Sequence, residues 1–165
     1  MAYSLEALIG KDAFVIVPQL YPAAQVVRLR HGLQMLPLTR AFTSELRASR
    51  PAEQTLPWEE MMKTRGLPSW FEKRNDIVAD LASQLSEVAP VAYVEANFFG
   101  GVGGQSALIW QQRQIVFARS DTHGIGAINE ALRYLGVQAS NTNSWFDEFM
   151  MVGLGQKRDT EQWGT

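Results

Sequence analysis

The stretch VAYVEANFFGGVGGQSALIWQQRQIVFAR, Val91 to Arg119, decides how this chain is read. VAYVEANFF (91–99) is dense in β-branched and aromatic residues, and QSALIW (105–110) and QIVFAR (114–119) repeat that bias. Three strands in succession are predicted, the last two joined by QQR as a hairpin. Four glycines crowd into residues 100–104 between the first two strands. A phosphate cradle would need such a turn to feed a helix N-terminus, with a lysine and a hydroxyl at fixed places. Here no lysine follows and the chain runs into a β-like segment, so nucleotide and dinucleotide binding both fail. Glycine admits positive φ and close backbone approach, so the cluster predicts a bulged or wide turn between adjacent strands.

Working outward, QVVRLRHGLQMLPLT alternates apolar and polar residues on both sides of His31-Gly32, a hairpin pattern with glycine at the turn. Thr39 is placed to cap a helix through Ala48, with Phe42 and Leu46 on one face. Nearer the start, SLEALIG reads as a short helix opened by Ser4 and ended by Gly10. AFVIVP reads as a strand stopped by Pro18. Residues 49–70 are proline-rich with weak periodicity, predicting a loop with a helical turn at WEEMMK; Trp58 and Trp70 lie there. Ser69 with Glu72 forms a capping pair, and Phe71, Val78, Leu81, Leu85 and Val88 recur at helical spacing, so a helix is expected to run to Val88. HGIGAINEALRYLG is a second amphipathic helix, with Ile125, Ile128, Leu132 and Leu135 on one side and Gly136 beyond its end. WFDEFMMVGLG predicts a short helix, and the polar tail 156–165 a flexible end. Interspersed strands and helices with two hairpins favour one α+β domain over residues 1–165, a mostly antiparallel or mixed sheet with helices packed on its faces.

A chain of 165 residues with 46% hydrophobic residues holds one core of ordinary size. Without cysteine there is no disulfide framework, thiolate metal site or cysteine nucleophile. The N-terminus lacks a signal-peptide pattern and no run of 18 apolar residues occurs, so a soluble cytoplasmic protein with no membrane span is expected. Net charge is −2, but residues 1–75 carry ten basic and seven acidic side chains, against five and ten in residues 76–165. That asymmetry is too mild for a nucleic-acid binder and suits an acidic face meeting a basic protein partner, or simply two solvated surfaces.

Candidate chemistry is sparse. Glu95 and Asn97 share one face of their strand, opposite Val94, Ala96 and Phe98, and can form a site or an ordinary polar patch. Asp121 and His123 have a spacing that suits two metal ligands, but no third is suggested locally, and a turn in which Asp121 or Thr122 caps the following helix is the better reading. No serine sits in a GxSxG elbow, and the adjacent pairs Glu59-Glu60 and Asp147-Glu148 point apart on a helix, unlike an acid/base dyad. Neither a metal nor a cofactor is expected.

The runs VAYVEANFFGGVGGQSALIW, INEALRYLGV and DEFMMVGLGQKRDTEQW, with the earlier VVRLRHGLQMLPLT, resemble a family of small uncharacterised bacterial proteins over about two thirds of the chain. That family is similar to the immunity proteins encoded beside polymorphic or contact-dependent toxins. The resemblance implies a cytoplasmic antitoxin that binds a cognate toxin domain and masks its active site. SDTHGIG is shorter than the loop the resemblance leads one to expect there. Under this reading Trp145, Asp147 and Glu148 are candidate partner contacts, with Asp121 and His123 as a second patch; aromatics supply anchors and charges set orientation. The alternative is a small hydrolase-type enzyme with Glu95 as general base beside Asn97 and the glycine loop.

Overall fold

A computed structural model of the protein describes residues 2–49, 76–100, 102–121, 126–139 and 147–164. The strands are β1 (Ala2–Gly10), β2 (Val27–Arg28), β3 (Gln34–Pro37), β4 (Val91–Phe99), β5 (Val102–Gln111) and β6 (Gln114–Asp121). They build one sheet in the order β2-β3-β1-β4-β5-β6, and every neighbouring pair is antiparallel. The helices are α1 (Val17–Leu20), α2 (Arg40–Ala48), α3 (Asp76–Leu85), α4 (Gly126–Tyr134) and α5 (Glu148–Val152), followed by 3-10 turns at Leu154–Gln156 and Thr160–Gly164. The α+β class read from the sequence is the class observed.

Both faces of the sheet are covered. On one, Leu8, Leu36, Val91, Tyr93, Leu108 and Trp110 pack against Phe14 and Val17, Phe42 and Leu46 of α2, and Val78 and Ala82 of α3. On the other, Leu5, Ile9, Met35, Val94, Ala107 and Ile109 meet Ile128 and Leu132 of α4, Val152 of α5, and Trp163. Each large side chain so buried contributes roughly 1.5–3 kcal/mol of transfer free energy. Thr39 caps α2 as its sequence predicts, its Oγ1 accepting from the Phe42 N–H at 3.3 Å.

Double burial explains the first misreading. SLEALIG is not a helix but most of the central strand β1, bonded to β4 along its whole length and to β3 from Ala7 to Gly10. With Leu5 and Ala7 facing one layer and Leu8 the other, the strand shows no alternation, and its helix-forming Leu, Glu and Ala are overruled by pairing on two sides. Conversely, AFVIVP is not a strand. Pro18 stands in the first turn of α1, and Ala13, Phe14 and Val17 turn inward, leaving Val15 and Ile16 more than half exposed. The third helix ends at Leu85 and Val88 is 72% exposed, so its buried stripe is Val78, Leu81 and Leu85. The capping pair Ser69 and Glu72, WEEMMK, Trp58, Trp70 and Ile125 lie outside the described residues.

The β4–β5 turn is tighter than the bulged or wide form expected. Phe99 pairs directly with Val102, so only two residues turn the chain, and Gly100 takes φ 59°. Past the turn, Gly103 opposes Phe98 so closely that a β-carbon there would lie 1.9 Å from the Asn97 carbonyl oxygen. The β5–β6 turn also has two residues, Gln112 and Arg113, both at positive φ without being glycine. Their N–H groups are held by Ser86, whose carbonyl accepts from Gln112 at 3.1 Å and whose Oγ accepts from Arg113 at 2.9 Å. Those bonds offset the cost of the left-handed backbone.

Residues 156–164, which composition alone reads as a flexible tail, dock along the stretch of β1 that β3 leaves uncovered. Ser4 N–H donates to the Arg158 carbonyl at 2.8 Å and Glu6 N–H to Thr160 Oγ1 at 2.9 Å. Glu161 in turn accepts from the Arg40 N–H at 2.7 Å, at the start of α2, and Trp163 is 5% exposed. The tail thus satisfies backbone donors that a bare strand edge would leave to solvent.

Candidate functional site

The register of the three central strands sets a polar row across the first face. Glu6 of β1 is directly opposite Glu95 of β4, Glu95 opposite Ser106 of β5, and Ser106 opposite Ser120 of β6. Tyr93, two residues from Glu95 and so on the same face, donates its phenol to Glu95 Oε1 at 2.8 Å. Burial raises the Tyr93 pKa well above its ordinary value, and the carboxylates of Glu95 and Glu6 raise it further. Tyr93 therefore keeps its proton and acts as a fixed donor to a carboxylate that is itself 6% exposed.

Glu95 and Asn97 share this face, but not a depth. Asn97 is exposed and lies opposite Ser4 and Gly104, while Glu95 sits within the covered part of the sheet. The grouping around Glu95 is therefore lateral, through Glu6, Tyr93 and Ser106, rather than along the strand to Asn97. Ser106 comes opposite Glu95 because Phe99 pairs with Val102, a tighter register than the glycine cluster led one to expect. Glu6 carried no local signal while its segment read as a helix.

At the other end of β4 and β5 the turn carries Phe99 and Val102 side by side, 75% and 78% exposed. Their stems are buried strands, so an apolar pair stands at the tip of a rigid support.

On the opposite face, Asp121 ends β6 and accepts from Arg119 Nε at 3.2 Å; Arg119 also pairs with Glu130 of α4. Among the described residues Asp121 accepts no hydrogen bond from that helix, and Thr122, the other cap the sequence offered, lies outside them. The cap comes from a different strand, where Gln105 Oε1 accepts from the Ile128 N–H at 2.7 Å. Gln105→Leu should leave that buried donor unpaired and cost about 1–3 kcal/mol, read as a lower midpoint in urea denaturation; an unchanged midpoint would deny the cap. His123 lies outside the described residues, as does Trp145.

Asp147 and Glu148 organise the structure locally. Asp147 is the N-cap of α5, accepting from Met150 N–H at 3.0 Å, and its other oxygen accepts from Asn129 Nδ2 at 3.1 Å. Glu148 is 1% exposed and takes Arg133 Nε at 2.5 Å and the Ala139 N–H at 3.2 Å. Burial pushes its carboxyl upward, but the Arg133 guanidinium and the backbone N–H donors outweigh that, so its pKa ends below the ordinary value. Its charge is thus taken up in tying α4 to α5 through Arg133. Asp147 remains partly exposed.

Among the described residues no three His, Asp or Glu side chains gather as a metal would require, and no helix is long and apolar enough to cross a membrane. No family model matches the chain, and neither the curated proteins nor the solved structures yield a match.

Proposed function

We propose that this protein is an immunity protein, which binds a cognate bacterial toxin domain and masks its active site. The observation that carries the reading is the β4–β5 hairpin tip. Phe99 and Val102 present adjoining apolar surface on a backbone that is already ordered, so a partner burying them meets little further entropic cost. An exposed aromatic on a preorganised support is the usual form of an interface anchor. Asp121 and the partly exposed Asp147 are candidates for orienting charges beyond the tip, and Trp145 and His123 remain candidates from the sequence.

Co-expression with the toxin domain encoded beside it tests the proposal. Growth rescue with tight binding is expected, and Phe99→Ser combined with Val102→Ser should weaken binding at least about 30-fold, in line with anchor residues worth 2 kcal/mol or more. Rescue and affinity unaffected by the double change would place the interface elsewhere. Failure of both rescue and binding would sink the immunity reading.

The Tyr93–Glu95 bond favours one alternative, a hydrolase-type enzyme with Glu95 as base. It predicts rescue without measurable binding, abolished by Glu95→Gln.

A further inference from the structure

The hairpin tip is free of charge as well as apolar. From Ala96 to Gln112 the sequence holds no Asp, Glu, Lys, Arg or His. Among residues 99–104 only Phe99 and Val102 carry side chains, the others being glycine. Ala2 of β1 is directly opposite Phe99, which is directly opposite Val102, so the three form one exposed apolar row on a single face of the sheet. The next row on that face is Ser4, Asn97 and Gly104, again uncharged. Carboxylates first enter on the row after that, with Glu6 and Glu95, and Glu95 is 6% exposed. At one flank Asp121 stands opposite Gln105, three residues along β5 from Val102, or about 10 Å at the rise of a strand. Asp159 bridges Ser4 at the other.

That distribution constrains what the tip can enter. Binding surfaces match in charge, a cationic cleft being met by carboxylates placed against it. The tip has none to offer. Seated in such a cleft it strips water from cations without giving them a counter-charge, which opposes binding. Seated in an apolar pocket it leaves no charge unpaired on either side, and two side chains projecting from a rigid two-stranded stem fit a narrow opening. A bilayer is a poorer host, because two side chains bury less apolar surface than a myristoyl chain, which alone holds a protein only marginally.

We infer that the part of the toxin domain receiving the tip is a narrow, uncharged apolar pocket, and not a basic cleft of the kind that grips nucleic acid. The inference rests on the toxin-binding proposal and adds to it the chemistry of the surface that is masked. Asp121 and Asp147 then act at the rim, where charges govern the rate of encounter, while the tip governs how long the complex lasts.

The test places opposite charges at one position of the tip. Val102→Asp and Val102→Lys are compared with the parent for binding to the toxin domain encoded beside this chain, by surface plasmon resonance at roughly 0.15 M salt, where exposed charges more than about 8 Å apart are largely screened. Val102 is 78% exposed, so thermal melts of both variants should match the parent. Each variant should bind at least about 30-fold more weakly, and the two should agree within about threefold, because a charge of either sign loses its hydration in an apolar pocket. Val102→Asp binding at least about tenfold more tightly than Val102→Lys would reveal a basic cleft and overturn the inference, with the immunity reading left standing. Parent affinity in both variants would take the tip out of the interface and overturn it as well. Absence of binding by the parent itself would sink the immunity reading and this inference together. Phosphatidylcholine vesicles that sediment with the parent but not with Val102→Asp would make a lipid surface the occupant, the remaining result that overturns it.

Discussion

Gly103→Ala should cost on the order of 4 kcal/mol, a large share of the 5–15 kcal/mol that holds a domain of this size together. The added β-carbon would stand 1.9 Å from the Asn97 carbonyl oxygen and 2.7 Å from the Phe98 Cα, both backbone atoms of the paired strand β4. A flexible side chain would swing aside. Here two central strands must separate, which breaks ladder bonds next to the buried Ala96 and Gln105. Gly32→Ala is the control, because Gly32 also has positive φ, 75°, but open space around it. That change should cost only the left-handed strain, about 1 kcal/mol. Urea denaturation of the two variants separates close approach from backbone conformation. If Gly103→Ala lowers the midpoint no more than Gly32→Ala, the strands are not packed as closely as the register requires.

Arg133→Gln should also destabilise the fold, and its effect should depend on pH in a particular direction. The Arg133 side chain is 55% exposed while Glu148 is 1% exposed, so the substitution strands a buried carboxylate. A fully buried pair broken this way costs about 3–5 kcal/mol; solvent around the guanidinium reduces that to about 1–2 kcal/mol at pH 7. In the parent, the folded-state pKa of Glu148 is lowered, so the unfolded chain binds its proton first. The stabilisation is complete above the unfolded value of about 4.3 and is lost as pH falls through the folded one. In the variant, burial acts without the guanidinium and raises the folded-state pKa. The folded state then takes up a proton before the unfolded chain does, and stability recovers as pH falls from neutral toward about 4.3. Thermal melts between pH 7 and 4.5 should therefore show the gap between parent and variant narrowing. A gap that stays constant or widens would mean that Glu148 is not held charged by Arg133.

Much of the fold was legible because local signals agreed with tertiary demands. Thr39 before an amphipathic run, His31-Gly32 between alternating segments, and the strand-rich stretch from Val91 to Arg119 all read correctly. SLEALIG and AFVIVP failed for different reasons. A central strand buried on both faces loses its alternation, and an apolar run beside a filled sheet has no strand to pair with. The candidate sites fared unevenly. Glu95 was visible as a polar residue in an apolar strand and Tyr93 shares its face by alternation, but Glu6 joins it only through register. Asp147 and Glu148 looked like a solvated pair, and nothing local indicated that Arg133 and Asn129, some 15 to 18 residues earlier, would engage them.

The sequence by itself determined the class of the domain, the place of the His31-Gly32 and glycine-rich turns between strands, and the want of thiol chemistry, since these follow from residue type and short spacing. Only the tertiary structure decided which segment became the central strand and which strand supplies the cap of α4. It also decided that the polar tail seals the β1 edge. Each of those depends on contacts between residues far apart in the chain. Their energies come from burial and pairing, which no local propensity encodes.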